Sequence, residues 1–487
     1  MNIPILHFRG GAEGDTPLVE MFKFEFDLDD LTDENDAAKI HPPEAIQPPQ
    51  DGLDNPDEKK EPRIHDPCMV IPVAELIDQL PPFITYSNLK ITTSLSIYKR
   101  ELYDAKYQTI VNLAQGEEEE KEDQADEPGE TNKQVDEAMG QKTLDSLQSS
   151  SDLIPGVYEG GFKTWECSLD LATHLGPIFE KLADLLSDPT RLTVDHIENR
   201  PDLDAPYRIL EIGCGTAVPT VSLCFKLFAY LLTLNRSHPP VSASNGDSQD
   251  ELEPPILEII LQDFNSDVLR LLTFPNILLA FYRATLIAGK SKQPEVPQEA
   301  SDAESTSEEG RAREEMIEED LEITDELKTE FGLFLRENRI RLTFVYGPWS
   351  TFELPAISPS QTSNPPRTES GREKEIRKGC EVIMSSETLY STDSLPDLIN
   401  VLLSSKITSK SRLRAQQEAD AAAVESTILI ASKAVYFGVG GGTHSFIDLV
   451  ENRHNGSVSF IDLHHPDHPP PLSNGVSRVL MDVKFSA

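Results

Sequence analysis

The feature that most limits what this chain can fold into is an apolar run that ends in two glycines and restarts as a helix. Residues 207–228 read YRILEIGCGTAVPTVSLCFKLF. A strand this apolar is buried on both faces, as in a parallel sheet covered by helices. Gly213 and Gly215 make the tight turn. Without Cβ atoms the backbone can approach a ligand closely, and the helix that follows adds oriented N–H groups. Related patterns follow: ILEIILQDFN at 256–265 before a helix near 266–286, IRLTFVYGPW at 340–349, CEVIMSSETLY at 380–390 before a helix near 393–405, and STILIASKAVYFG at 426–438. Strand, turn and helix in repetition predict an α/β fold with a parallel sheet and helices on both faces. Upstream, WECS at 165–168 opens a helical pattern that continues to about Leu186.

Charge sets the domain plan. The net charge is −41, which excludes an ordinary nucleic-acid binder and disfavours an anionic membrane surface. It is concentrated: residues 1–150 hold 33 acidic against 13 basic residues, and 291–330 hold 15 against 4. Residues 1–153 therefore read as an acidic extension, mostly disordered, with short ordered pieces at 69–113 and a disordered linker at 114–152. Residues 154–487 read as the folded domain, with low-complexity inserts near 236–254, 290–322, 356–378 and 462–476. MFKFEFDL at 21–28 is an alternating aromatic run, and Met21 is an alternative start.

Five cysteines without a CxxC spacing argue against a disulfide framework or a structural zinc site. The first residues lack a signal-peptide layout, and the longest apolar stretch, near 268–288, is broken by Arg270, Pro275 and Arg283. No membrane span is expected, and the compartment expected by elimination is cytoplasm or nucleus. HHPDH at 464–468 has no second ligand cluster, so no metal is expected.

In open α/β sheets ligands bind at the carboxyl ends of the strands. Glu211, Gly213 and Gly215 form an E-x-G-x-G turn, unlike the three-glycine dinucleotide fingerprint. Asp263 has two readings: an acceptor for both hydroxyls of a ribose, or, with Asn265, a cap for the next helix. Trp349 can stack on an adenine or belong to the core. Ser385, Glu387 and Tyr390 end the next strand at the same mouth. GVGGG at 438–442 lacks the lysine of a phosphate-binding P-loop.

The order GVYEGGFKTWECSLDL, ILEIGCGTAVP, LQDFN, FPN, PWS, SSETLY and ASKAVYFGVGGGTHSF, over about 154–487, resembles the histidine protein methyltransferases. These are a branch of the Rossmann-like, seven-stranded S-adenosylmethionine-dependent methyltransferases. The related lysine enzymes carry Asp or Asn before x-x-Tyr, where this chain has Glu387-Thr-Leu-Tyr390. The resemblance implies methylation of one histidine, at the τ nitrogen, in a basic large-subunit ribosomal protein. It implies cofactor contacts at Thr164, Trp165, Glu166, Cys167 and Ser168, at Gly213, at Gln262, Asp263 and Phe264, at Gly347, Pro348 and Trp349, and at Ser385. Pro348 stands where relatives usually carry an acidic residue.

Glu387 or Tyr390 is expected to hold the imidazole nitrogen that is not methylated. A neutral imidazole, with a pKa of about 6.5, is already a nucleophile, so the catalytic work is positioning. The expected protein is a monomer without direct nucleic-acid binding. Two alternatives stand beside it: a protein-lysine methyltransferase on the same fold, and a non-catalytic acidic escort for basic ribosomal proteins.

Overall fold

A computed structural model describes residues 67–122, 160–187, 206–237, 254–290, 318–356, 379–407, 425–436, 441–463 and 477–485. The chain divides into two units, Met1–Arg63 and Ile64–Ala487, and all described residues lie in the second. The aromatic run at 21–28, residues 123–152 of the expected 114–152 linker, the glycines before Gly441 and HHPDH lie outside the described residues.

The chain opens with β1 (Met69–Ile71), α1 (Val73–Asp78), β2 (Phe83–Lys90), β3 (Ser96–Arg100) and α2 (Leu102–Glu122). Next come α3 (Glu166–Thr173), α4 (Gly176–Ser187), β4 (Tyr207–Ile212), α5 (Val218–Ser237) and β5 (Leu257–Asp263). A helical turn (Ser266–Val268) and a π-turn (Leu269–Thr273) lead into α6 (Phe274–Lys290). They are followed by β6 (Glu319–Glu322), α7 (Asp325–Glu337), β7 (Ile340–Tyr346), β8 (Val382–Ser386), α8 (Leu395–Ser405) and β9 (Thr427–Lys433). The chain closes with α9 (Thr443–Asp448), β10 (Gly456–Ile461) and β11 (Arg478–Phe485).

The main sheet runs β1-β7-β5-β4-β8-β9-β11-β10. Strands β7, β5, β4, β8 and β9 are mutually parallel, and β11 lies antiparallel between β9 and β10. Without β1 this is the chain order 3-2-1-4-5-7-6. Strands β4, β5 and β8 are buried at every residue, the reason for their unbroken apolar texture. On one face Ile209, Leu257, Leu261 and Phe344 pack against α5, α6 and α7, where the Phe228 and Phe334 rings meet edge to face at 5.1 Å. On the other face Leu210, Ile212 and Ile383 pack under α8 and Phe446.

The strand ends away from the glycine turn are locked by charge. Arg208 and Glu258, in register on β4 and β5, pair at 2.8 Å while nearly fully buried. The Arg208 backbone N–H donates to Glu381 at 2.6 Å.

Several expectations need correction. Residues 69–122 are part of the folded body, beyond the 69–113 allowed for short ordered pieces. β1 pairs antiparallel with β7, and β2 pairs with both β3 and β6 in a second sheet. α2 continues through the Glu-rich stretch to Glu122, where the sequence suggests a linker. The 290–322 insert ends in a strand, β6, because its Leu321 is buried against β2. The helical pattern after WECS breaks in two at His174–Leu175. The apolar stretch Ser266–Gly289 has the length and hydropathy of a membrane span, yet most of it is buried inside this body.

Candidate active site

The topological switch point lies at β4, whose neighbours β5 and β8 lead the chain in opposite directions across the sheet. A crevice opens there beyond the strand ends, the place where this architecture binds ligands. The cleft holds at most about 570 Å³, its open mouth included, and is lined by Gly160, Gly161, Trp165, Gly213, Asp263, Trp349, Glu387 and Tyr390 among others.

The floor is the turn after β4. Gly213 and Gly215 have φ of +60° and +52°, a region L-residues avoid. A Cβ at Gly213 would lie 2.6 Å from Thr388 Cγ2, so this turn touches the loop after β8. The π-turn braces it from below: Thr273 donates to the Gly215 carbonyl at 2.6 Å. Asn276, from FPN, donates to the Thr216 carbonyl at 3.0 Å and accepts the Arg100 N–H at 2.8 Å. The N-terminal layer thereby supports the glycine turn, a role that local sequence does not signal.

The expected site residues divide into those that line the cleft and those that build it. Trp165, Ser168, Gly213, Gly215, Asp263, Phe264, Trp349, Glu387 and Tyr390 line it. Gln262 does not: fully buried, it accepts from Gly213 N–H at 3.2 Å and Trp349 Nε1 at 2.9 Å and donates to the Gly347 carbonyl at 2.9 Å. Its amide joins three strand ends. Glu211 lies beneath the turn, accepting from the Thr220 N–H at 3.1 Å and from its hydroxyl at the start of α5. Burial pushes its pKa up to about 7, against the pull of those two donors.

Ser385 is also fully buried, donating to the Ile212 carbonyl at 2.8 Å, and its neighbour Ser386 lines the cleft instead. Thr164 lies 3.0 Å from the Thr216 hydroxyl, Glu166 is exposed, and Cys167 is buried behind Glu387. Gly347 packs on Cys68, and the Pro348 carbonyl accepts from the Cys68 thiol at 3.2 Å. Neither lines the cleft.

The two readings of Asp263 resolve in part. Asn265 caps the following helical turn, accepting from the Asp267 N–H at 2.8 Å. Asp263 instead lines the cleft while accepting from Gly215 N–H at 2.8 Å and Asn265 N–H at 3.1 Å. Lys163, Gly161, Cys214, Thr216, Ser386 and Thr388 also line the cleft, beyond the residues expected from the sequence.

Glu387 stands apart. It is a non-glycine residue at φ +58°, a strained conformation of the kind that clusters at functional sites. Its N–H is tied to the Ala431 carbonyl at 2.9 Å. Tyr436 donates to its Oε2 at 2.6 Å, and Lys433 Nζ stands 3.7 Å from Oε1. The side chain is 6% exposed, and among the described residues no hydrogen bond reaches Oε1. Desolvation first, and then the Glu387 charge, drive the Tyr436 phenol and the Cys167 thiol far above their usual pKa values. Gly441, from the glycine-rich loop, donates its N–H to the Tyr390 carbonyl at 3.0 Å. A Cβ at Gly441 would fall on that carbonyl, so the loop packs on the Glu387–Tyr390 turn.

Strand order and glycine turn define the seven-stranded S-adenosylmethionine-dependent methyltransferase fold. The cleft fits that cofactor: two positive-φ glycines at the switch point, an acid at the end of the second strand and an indole across from it. Over most of its length the chain is similar to histidine protein methyltransferases. It is 26% identical to Histidine protein methyltransferase 1 of Saccharomyces cerevisiae over 80% of this chain and 76% of that one. It is 26% identical to the Schizosaccharomyces pombe protein of the same name over 64% of this chain and 63% of that one. The Mus musculus homolog is 25% identical over 70% of this chain, which spans 60% of the mouse protein. No family model matches the chain. Among solved structures, a SAM-dependent methyltransferase from Aquifex aeolicus aligns over 64% of this chain and 98% of that one, with 9% identity and a TM-score of 0.21.

Proposed function

We propose that this chain is a protein-histidine methyltransferase that modifies the τ nitrogen of one histidine in a basic large-subunit ribosomal protein. The observation that carries this reading is the cleft-lining Glu387 carboxylate, held at Oε2 by Tyr436, with a buried Oε1 that no hydrogen bond reaches among the described residues. A buried acceptor left unmade costs about 1–3 kcal/mol, so the site gains when a donor arrives. An imidazole N–H is such a donor. S-adenosylmethionine, when bound, supplies an electrophilic methyl group.

The chain's own residues do the rest. The 213–216 turn, Asp263, Trp165 and Trp349 form the cofactor cradle. Glu387 Oε1 accepts the N–H of one imidazole nitrogen and so selects the tautomer whose lone pair lies on the other nitrogen. The same carboxylate favours the positive charge that develops on the ring. Tyr390, at the cleft wall, limits where the ring can lie. Cys167 and Tyr436, both uncharged near neutral pH, add no negative charge beside Glu387.

The acidic stretches 114–150 and 291–322 suit electrostatic capture of a very basic protein before it meets RNA. The protein acts as a monomer in the cytoplasm and nucleus, in ribosome biogenesis or translation.

The test is to incubate the purified chain with radiolabelled cofactor and ribosomal proteins from cells that lack the enzyme. τ-Methylhistidine in a single large-subunit protein is the expected product. Methyl-lysine would assign the lysine reaction instead, and a chain that fails to bind the cofactor would be an escort.

A further inference from the structure

We propose that Lys433 is the specificity-determining residue of this site: its ammonium takes the cation position beside Glu387, so that only an uncharged imidazole is accepted there. The proposal rests on the reading of the site as a protein-histidine methyltransferase.

Lys433 ends β9, and three groups hold it. Its Nζ lies 3.7 Å from Glu387 Oε1, 3.6 Å from Glu166 Oε2 and 4.7 Å from the centre of the Trp165 ring. A carboxylate beside an indole face is an attractive place for an ammonium. Left open, it would hold a substrate lysine or a protonated histidine, and neither has a lone pair to offer. Here a resident lysine occupies it. At 3.7 Å Lys433 opposes the Glu387 charge without forming a hydrogen bond, so Oε1 remains an acceptor for a neutral N–H.

The charged surroundings are balanced. Lys163 lies 4.4 Å from the Trp165 ring centre, ahead of α3. From α3 come Glu166, Cys167 and Asp170, and Asp170 is paired with Arg478 of β11 at 2.6 Å. Tyr436 follows β9 and Tyr390 follows β8. With Tyr436 and the thiol uncharged, Glu166, Asp170 and Glu387 face Lys163, Lys433 and Arg478, one cation for each carboxylate. Removing Lys433 leaves the site net negative, which favours a protonated imidazole.

The test uses the full chain, ribosomal proteins from cells lacking the enzyme, and the pH dependence of kcat. Lys433→Met is expected to move the acid limb of kcat upward by about one pH unit, because more substrate is held as imidazolium. Lys433→Arg keeps the limb in place. Glu166→Gln, at an exposed position, is expected to move the limb the opposite way, downward. An acid limb that stays at the wild-type pH in both Lys433→Met and Glu166→Gln overturns the proposal, even if kcat falls. Should Lys433→Met not fold, the downward shift in Glu166→Gln decides alone. Failure of the parent reading looks different: the wild-type enzyme itself then yields no methylhistidine.

Discussion

The Tyr436 phenol donates a 2.6 Å hydrogen bond to Glu387 Oε2, joining the turn after β8 to the chain that leaves β9. In the proposed mechanism the bond leaves Oε1 as the oxygen that meets substrate. Tyr436→Phe is expected to lower kcat and leave the cofactor dissociation constant within about twofold. A hydrogen bond to a charged group contributes roughly 1.5–3 kcal/mol, so the loss in kcat should be between about tenfold and a hundredfold. Glu387→Gln removes the charge itself and should cost more, about 100-fold or beyond. Single-turnover rates and cofactor titration check both. Turnover by Glu387→Gln at the wild-type rate would remove Glu387 from the mechanism.

Glycine at 213 is required by both φ and space. Gly213→Ala adds a Cβ that meets Thr388 in a left-handed conformation, at a cost of about 1–3 kcal/mol. Weaker cofactor binding and a lower Tm are expected together. Gly332→Ala is the control, since this α7 glycine is exposed with open space around its Cβ position. It should stabilise by roughly 0.5–1 kcal/mol. Calorimetry of the two variants gives opposite signs if the geometry is right.

The buried Glu211 makes stability depend on pH. Its folded pKa, about 7, lies above its ordinary value of 4.5. The folded state thus binds this proton more tightly than the unfolded state. Its contribution to stability is present in full below pH 4.5 and is lost as pH rises through 7. Glu211→Gln lacks this titration. From pH 5 to 8 the wild-type unfolding free energy should fall by roughly 2.5 kcal/mol relative to the variant. Urea unfolding at both pH values measures it, and parallel curves would refute the shift.

Asn276 connects the N-terminal layer to the glycine turn. Asn276→Ala leaves the buried Arg100 N–H and the Thr216 carbonyl without this partner. The expected cost is about 1–3 kcal/mol per group left unpaired, with weaker cofactor binding although residue 276 does not line the cleft. An unchanged cofactor affinity in a folded variant would show that the layer does not support the turn.

The sequence determined the sheet and its mouth. Strands buried on both faces must be apolar throughout, so β4, β5, β7, β8 and β9 are written plainly in it, and each strand end marks a place at the cleft. Periodicity also finds the helices that follow them. Tertiary structure alone decided which residues near the mouth face the ligand. Gln262 and Ser385 share strand ends with Asp263 and Ser386, but successive strand residues point to opposite faces, and theirs are spent on partners inside the fold. Residues 69–122 were hidden for a related reason: their short strands become stable only by pairing with β6 and β7, more than 200 residues away in the chain. The meeting of Lys433, Trp165, Tyr436 and Glu387 is likewise a product of folding. No single motif records it, because the four residues come from three segments far apart in the chain, and only the packing of β8, β9 and the start of α3 brings the Lys433 and Glu387 charges within 4 Å of each other.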